Sequence, residues 1–346
     1  MTRSLAILLL AMTFTAAVEP LPDAAMGDWS AEGALAVQVI PLGKGEYRAL
    51  VFPTFAQGDA PLAVMAGTGK DSQVSFDGKT PLTNEGKSWW PAPAGSESWS
   101  GSIVNGVFTL NQPGKPAAAL KPVDRSSPTL GAKPPVGAVV LLGSDTTDLN
   151  QTWGKFKASE YAKKGTPGSA EGPCPWALEP GGVMRCVPKK GDIATLKTFG
   201  DCHLHLEFNL AFEPTNRGQD RSNSGVFFQE RYELQVLDSY GLKGLINEAG
   251  ALYLAQAPKV NACLPPGRWQ TYDVDFTAAK VDGDTLIAGA MFIAHLNGIL
   301  VQENTKLTKP TGNRAKNTLT NLPGPFLLQD HDHPVAYRNI WLTETR

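Results

Sequence analysis

Cysteine is scarce and unevenly placed: Cys174, Cys186, Cys202 and Cys263 are the only four, all in the second half of the chain. No two form a CxxC pair, which argues against a structural zinc knuckle. In an exported chain such a set allows one or two disulfides, with Cys174 to Cys186 the most local choice and free buried thiols the alternative. Charge is scarce too. Only 18% of residues are charged, with 31 Lys and Arg against 33 Asp and Glu, so the dense cationic surface that nucleic acid requires is not expected. Neither a Walker phosphate loop nor a Rossmann glycine fingerprint occurs, and a nucleotide fold has no support. Missing as well is any long span of helical 3.6 periodicity. The longest N-terminal apolar run, Leu5 to Met12, falls short of the roughly 20 residues that cross a bilayer, and no integral membrane protein is expected.

What is abundant is turn material. Glycine (35) and proline (27) punctuate a chain of 346 residues that is 42% apolar, a profile of short strands, many turns and proper cores. The length suggests two domains. Residues 1–17 run from Thr2 and Arg3 through the apolar stretch to small residues at Ala16 and Ala17, the layout of a secretory signal, so the protein is expected to be exported, periplasmic or extracellular. A small β-rich accessory domain is expected over 26–124, with strands at 34–40 and 47–52 about a Gly43-Lys44-Gly45 turn and a hairpin about Asn105-Gly106. Its middle, 54–95, reads as connections, and Trp89-Trp90 as packing rather than a ligand platform. The string RSSPTLGAKPP over 125–135 is expected to be a linker. Beyond it, 138–142 is a strand and the stretch to Pro173 is polar.

The second region is a dense series of strands. In 202–210, Leu204, Leu206, Phe208 and Leu210 alternate with His203, His205, Glu207 and Asn209, so one face is core and the other is open to chemistry. Likewise Glu233 and Gln235 lie opposite Tyr232, Leu234 and Val236. An antiparallel sandwich is the natural solution. Three clusters carry candidate chemistry. His203, His205 and Glu207 share a strand face; Asn223, Ser224, Glu233, Gln235 and Asp238 offer the directional donors and acceptors that sugar hydroxyls need. Asp330, His331, Asp332 and His333, followed by Arg338, alternate carboxylate and imidazole, which suits a divalent cation or a proton-transferring pair.

The segments FGDCHLHLEF, NSGVFFQERYELQVLDSYG, NACLPPGRWQTYDVDF, HLNGILVQ and LLQDHDHPVAYRNIWL together resemble the 3-keto-disaccharide hydrolase family over about 136–346. The N-terminal module resembles the accessory region that precedes this domain in planctomycete-type bacteria. The resemblance implies a concanavalin-like jelly-roll β-sandwich, all-β, whose concave face binds carbohydrate, and a hydrolase that cleaves glycosides already oxidised at C3. The ketone acidifies the C2 proton; a base removes it, the C1 substituent leaves, and water adds back. This differs from the paired-carboxylate route of ordinary glycosidases. On that reading Glu233 or Glu207 is the base or a metal ligand, His331 supported by Asp330 the acid–base partner, and Arg338 the cation on the enolate oxygen. Asn223, Gln235, Asp238 and His205 contact the sugar; His203, Asp332 and His333 are not expected to be essential. A divalent cation such as Ca is left open. The rival readings are a non-catalytic carbohydrate-binding module and an envelope structural protein, against which stands the number of ionisable groups expected on one face.

Overall fold

The computed structural model describes residues 21–31, 35–55, 58–70, 73–83, 86–159, 166–314 and 316–345. The expected signal segment, 1–17, lies outside them. Eight antiparallel strands from Gly27–Ser30 to Ala118–Val123 close into a barrel, the first pairing with the last. Closure leaves no free sheet edge. The barrel is filled by Trp29, Val37, Val39, Ala49, Val51, Phe76 and Phe108 among others. Two of its strands, Ala63–Lys70 and Gln73–Asp77, fall where the sequence suggested connections. Ala63, Val64, Met65, Val74 and Phe76 supply the buried side chains there, while Gly67 and Gly69 obscure the alternation.

The second unit is all-β as expected, a jelly-roll sandwich of two antiparallel sheets. One is six-stranded and runs, in spatial order, Ser169–Pro173, Trp153–Lys157, Ile193–Thr195, Leu327–Leu328, Ser224–Phe228 and Tyr232–Val236. Its first two strands lie in the stretch before Pro173 that reads as polar. The other sheet centres on Cys202–Asn209, flanked by Trp269–Thr277 and Ala336–Glu344. Val139–Leu142 adds to the outside of Ala336–Glu344. Leu204, Leu206 and Phe208 from one sheet and Val226, Phe228, Tyr232, Leu234 and Val236 from the other form a single core.

All four cysteines are free thiols, the second of the two alternatives that the sequence leaves open. Cys186 is buried with its Sγ 3.5 Å from Asp330 Oδ1, and Cys202 and Cys263 belong to the core. Residues 125–135 join the two units but do not hang free. Arg125 pairs with Asp28 at 2.7 Å, Ser127 Oγ lies 2.6 Å from Thr271 Oγ1, and the Ala132 carbonyl accepts from Asn339 and Trp341. Barrel and sandwich meet through Ile40, Leu42, Leu50, Trp89, Tyr240 and Leu242, and the Tyr240 hydroxyl donates to Asp28 at 2.9 Å. Trp89 is packing, as expected, with the Arg48 guanidinium over its ring at 4.5 Å. Among the described residues no helix is long and apolar enough to cross a membrane.

Candidate functional site

Because the two sheets share one core, side chains that point away from it leave in opposite directions. Glu207 and Glu233 therefore do not meet, and the single ionisable face expected from the sequence is divided between the two outer faces.

On the outer face of the larger sheet, Glu207 is wholly buried and saturated. Its Oε1 accepts from the Gly131 amide at 2.6 Å and from Asn339 at 2.8 Å, and its Oε2 from Arg338 Nε at 2.7 Å. His205, also wholly buried, faces Asp273 at 2.7 Å through Nδ1 and Glu207 at 3.6 Å through Nε2, with its ring stacked on Trp341. Burial alone would raise the Glu207 carboxyl, but hydrogen bonds from His205, Asn339, Arg338 and Gly131 hold it at about 2. Burial would likewise lower His205, yet Asp273 and Glu207 lift it to about 9. The group is a closed ion network beneath the 127–132 segment. A carboxylate that weak and that well bonded is poorly suited to take a proton, and Arg338, lying 4.0 Å from the Trp269 ring centroid, pairs with Glu207. His203 is on the same face, paired with Asp275 at 2.8 Å.

The outer face of the six-stranded sheet is different. Gly225 stands opposite Gln235 and Phe227 opposite Glu233. Glu233 is 5% exposed, and among the described residues its carboxylate has one hydrogen-bond contact, the Gln235 amide at 3.3 Å in the amide orientation that satisfies both groups. Burial pushes its carboxyl up to about 8; Arg314 opposes the rise and Asp192 adds to it. Gly225 leaves room for this carboxylate, since a Cβ would come within 2.8 Å of Glu233 Oε1 and displace it. Arg314 is held over Phe156 and Phe227 at 5.2 and 5.7 Å and reaches Asp192 at 3.9 Å. Two further amides belong to this side of the sheet. Asn223 gives its Nδ2 to the Gln219 carbonyl, and Gln329, whose backbone amide donates to Gly225, shares the side of Leu327. Asn223 Oδ1 and Gln329 Oε1 are both buried without a partner among the described residues, two acceptors awaiting donors.

The remaining candidates are dispersed. Asp238 pairs with Arg221 at 2.8 Å near the barrel seam. Asp330 does not orient His331: its carboxylate takes the Gly191 and Asp332 amides at 2.8 and 3.0 Å. His331 is exposed and acts electrostatically on Asp192, whereas His333 faces Glu213 at 2.7 Å. Among the described residues no three His, Cys, Asp or Glu side chains converge to hold a metal ion. Sequence reasoning missed Arg314 and Asp192, and it placed Gln329 only as the residue that opens the Asp/His string. Arg314 and Asp192 lie outside the strands, where periodicity gives no signal, and the two-residue strand before Gln329 is too short to show which way its side chain turns.

The family model of the 3-keto-alpha-glucoside-1,2-lyase-like domain matches residues 139–343. A solved Parabacteroides distasonis protein described as a glycosyl hydrolase is 28% identical, over 68% of this chain and 95% of its own, with a TM-score of 0.54. Another of the same organism and description is 18% identical over 57% and 90%, TM-score 0.41. No curated protein matches. The fold is thus that of a carbohydrate-active, glycoside-hydrolase-like protein, and the chain belongs to the 3-keto-alpha-glucoside-1,2-lyase-like domain family.

Proposed function

We propose that the protein cleaves 3-keto-glycosides by elimination and hydration, with Glu233 as the base. The observation that carries this reading is the Glu233 carboxylate: buried, nearly without partners, and held at about 8. A carboxylate of that basicity is matched to removing a proton made acidic by a neighbouring ketone, and far better so than one at about 2. Glu233 takes the C2 proton, and the electrons of the C–H bond pass to the C3 oxygen as an enolate. Arg314, the cation that acts on Glu233, stabilises that charge. The enolate then collapses, the C1–O bond breaks, and the departing oxygen receives a proton from His331, the exposed imidazole beside Asp192. Water adds across the C1–C2 double bond, its oxygen to C1 and a proton to C2. Gln235, Asn223 and Gln329 hold hydroxyls, the latter two through their unpartnered oxygens. We further propose that the protein is exported, as residues 1–17 suggest.

The test is release of aglycone from a 3-keto-glucoside beside its unoxidised parent. Turnover of the keto compound alone, with kcat/KM rising with pH and levelling as it passes about 8, supports the reading. Saccharide binding without turnover of either makes the protein a binding module.

A further inference from the structure

The strand that carries Glu233 is extended on its free side by a short irregular segment. Leu234 bridges Leu252, and the Tyr253 amide donates to the Glu233 carbonyl at 3.0 Å. Glu233 and Tyr253 are therefore cross-strand neighbours on the same outer face. A second measurement ties their side chains together. A Cβ placed on Gly312 would lie 2.7 Å from Tyr253 Cδ1 and 3.4 Å from Glu233 Oε2, so ring and carboxylate border one spot. Beside Tyr253 stands Leu254, 56% exposed, and its amide donates to the carbonyl of Ile246, 42% exposed, at 2.9 Å.

Leu254 is costly twice over. Its φ is +55°, in the left-handed region that glycine and asparagine adopt and leucine avoids, and its side chain is left in water. The backbone cost belongs to the turn that Leu254 helps to close, in which the Ala255 amide donates to the Leu252 carbonyl at 2.8 Å; the exposed side chain gains nothing from it. Two apolar side chains held in water, Leu254 and Ile246, beside the ring that borders the Glu233 carboxylate point to use by a ligand.

We propose that Tyr253, Leu254 and Ile246 form an apolar subsite that receives the aglycone, so that the preferred substrates are 3-keto-glycosides of aryl or similarly apolar alcohols. This rests on the reading of Glu233 as the base. The sugar lies along the amides of Asn223, Gln235 and Gln329, and the departing group lies against the shelf on the free side of the strand. No covalent step is added to the reaction.

The test compares benzyl and methyl 3-keto-β-glucosides, whose alcohols are of similar acidity, so that leaving-group chemistry is held constant. Kinetics are run on the wild-type protein and on Leu254→Asn, a substitution that relieves the backbone and leaves the Glu233 site intact. Affinities are measured by calorimetry on Glu233→Gln, which binds without turnover, and on the double variant. The shelf predicts a kcat/KM and an affinity roughly tenfold higher for benzyl, from the apolar area covered. It predicts that Leu254→Asn removes most of that preference with methyl values unchanged and thermal stability kept or raised. A benzyl preference absent from the wild type, or retained in full by Leu254→Asn, overturns the subsite. Binding with the expected ratio but no turnover in the wild type would sink the reading of Glu233 and leave the subsite standing. Binding of neither sugar overturns both.

Discussion

Glu207 and Glu233 are both buried glutamates on strands, yet one stands at about 2 and the other at about 8. Partners make the difference: three side chains and a backbone amide surround Glu207, whereas Glu233 has little beyond Gln235. The consequence for stability is opposite in sign. A carboxyl raised by folding favours the folded state fully below its unfolded value of 4.5 and loses that advantage as pH climbs through about 8. Glu233→Gln is therefore expected to abolish turnover and to stabilise the protein, by nothing at pH 4 and on the order of 3 kcal/mol at pH 7, levelling above pH 8. Chemical denaturation across that range checks it, and a variant less stable at pH 8 than wild type would contradict the burial argument. Glu207 contributes stability above 4.5 that is lost as pH falls through about 2, and His205 contributes stability below 6.5 that is lost as pH rises through about 9. Their network is fully expressed between 4.5 and 6.5. Glu207→Ala strands His205 and Arg338 and is expected to cost about 3–5 kcal/mol at pH 5.5, with the deficit shrinking toward pH 2.

At the scale of the element, alternation told which side chains turn away from the core. That is why Cys202–Asn209 and Tyr232–Val236 were legible residue by residue, and the turns at Gly43-Lys44-Gly45 and Asn105-Gly106 fell where their glycines put them. Alternation does not say which sheet a strand joins. A sandwich has two outer faces, and only the pairing of Tyr232–Val236 with Ser224–Phe228, and of Cys202–Asn209 with Ala336–Glu344, assigns Glu233 and Glu207 to different ones. The family resemblance made Arg338 the expected cation on the enolate oxygen, but it pairs with Glu207 on the other face. Arg314, the cation that does act on Glu233, is placed by two aromatic rings from separate strands, a tertiary arrangement with no period to read. Proline-rich composition was likewise ambiguous: 125–135 has no core residues of its own, yet its backbone amide and carbonyl close the Glu207 network. Gly131 lends that network its N–H from a backbone at φ +76°, which proline cannot adopt, so Gly131→Pro loses the hydrogen bond and the local backbone together and is expected to cost about 3 kcal/mol or more, read as a lower thermal midpoint with the glycoside reaction unchanged.

For the whole molecule, the barrel is docked on the sandwich by polar and apolar contacts together. Asp28 holds Arg125 and Tyr240 at once, and Arg217 donates to the Leu42 carbonyl at 2.8 Å. At Gly241, φ is +74° and a Cβ would meet Ile40 Cγ1 at 2.5 Å, so the backbone approaches the barrel as closely as only glycine permits. Gly241→Ala is expected to lower stability by about 1–3 kcal/mol and to split one unfolding transition into two as the units uncouple. A single unshifted transition would show that the seam contributes little. Because the Glu233 face is built wholly from the second unit, turnover should survive that uncoupling.

The central claim is that Glu233 takes the proton from C2, and the product records it. In D2O, a 3-keto-glucoside cleaved by elimination and hydration yields a sugar with deuterium at C2, seen by NMR at early times against an enzyme-free control and missing when Glu233→Gln is used. Product that keeps its hydrogen at C2 while the aglycone is released would contradict the account.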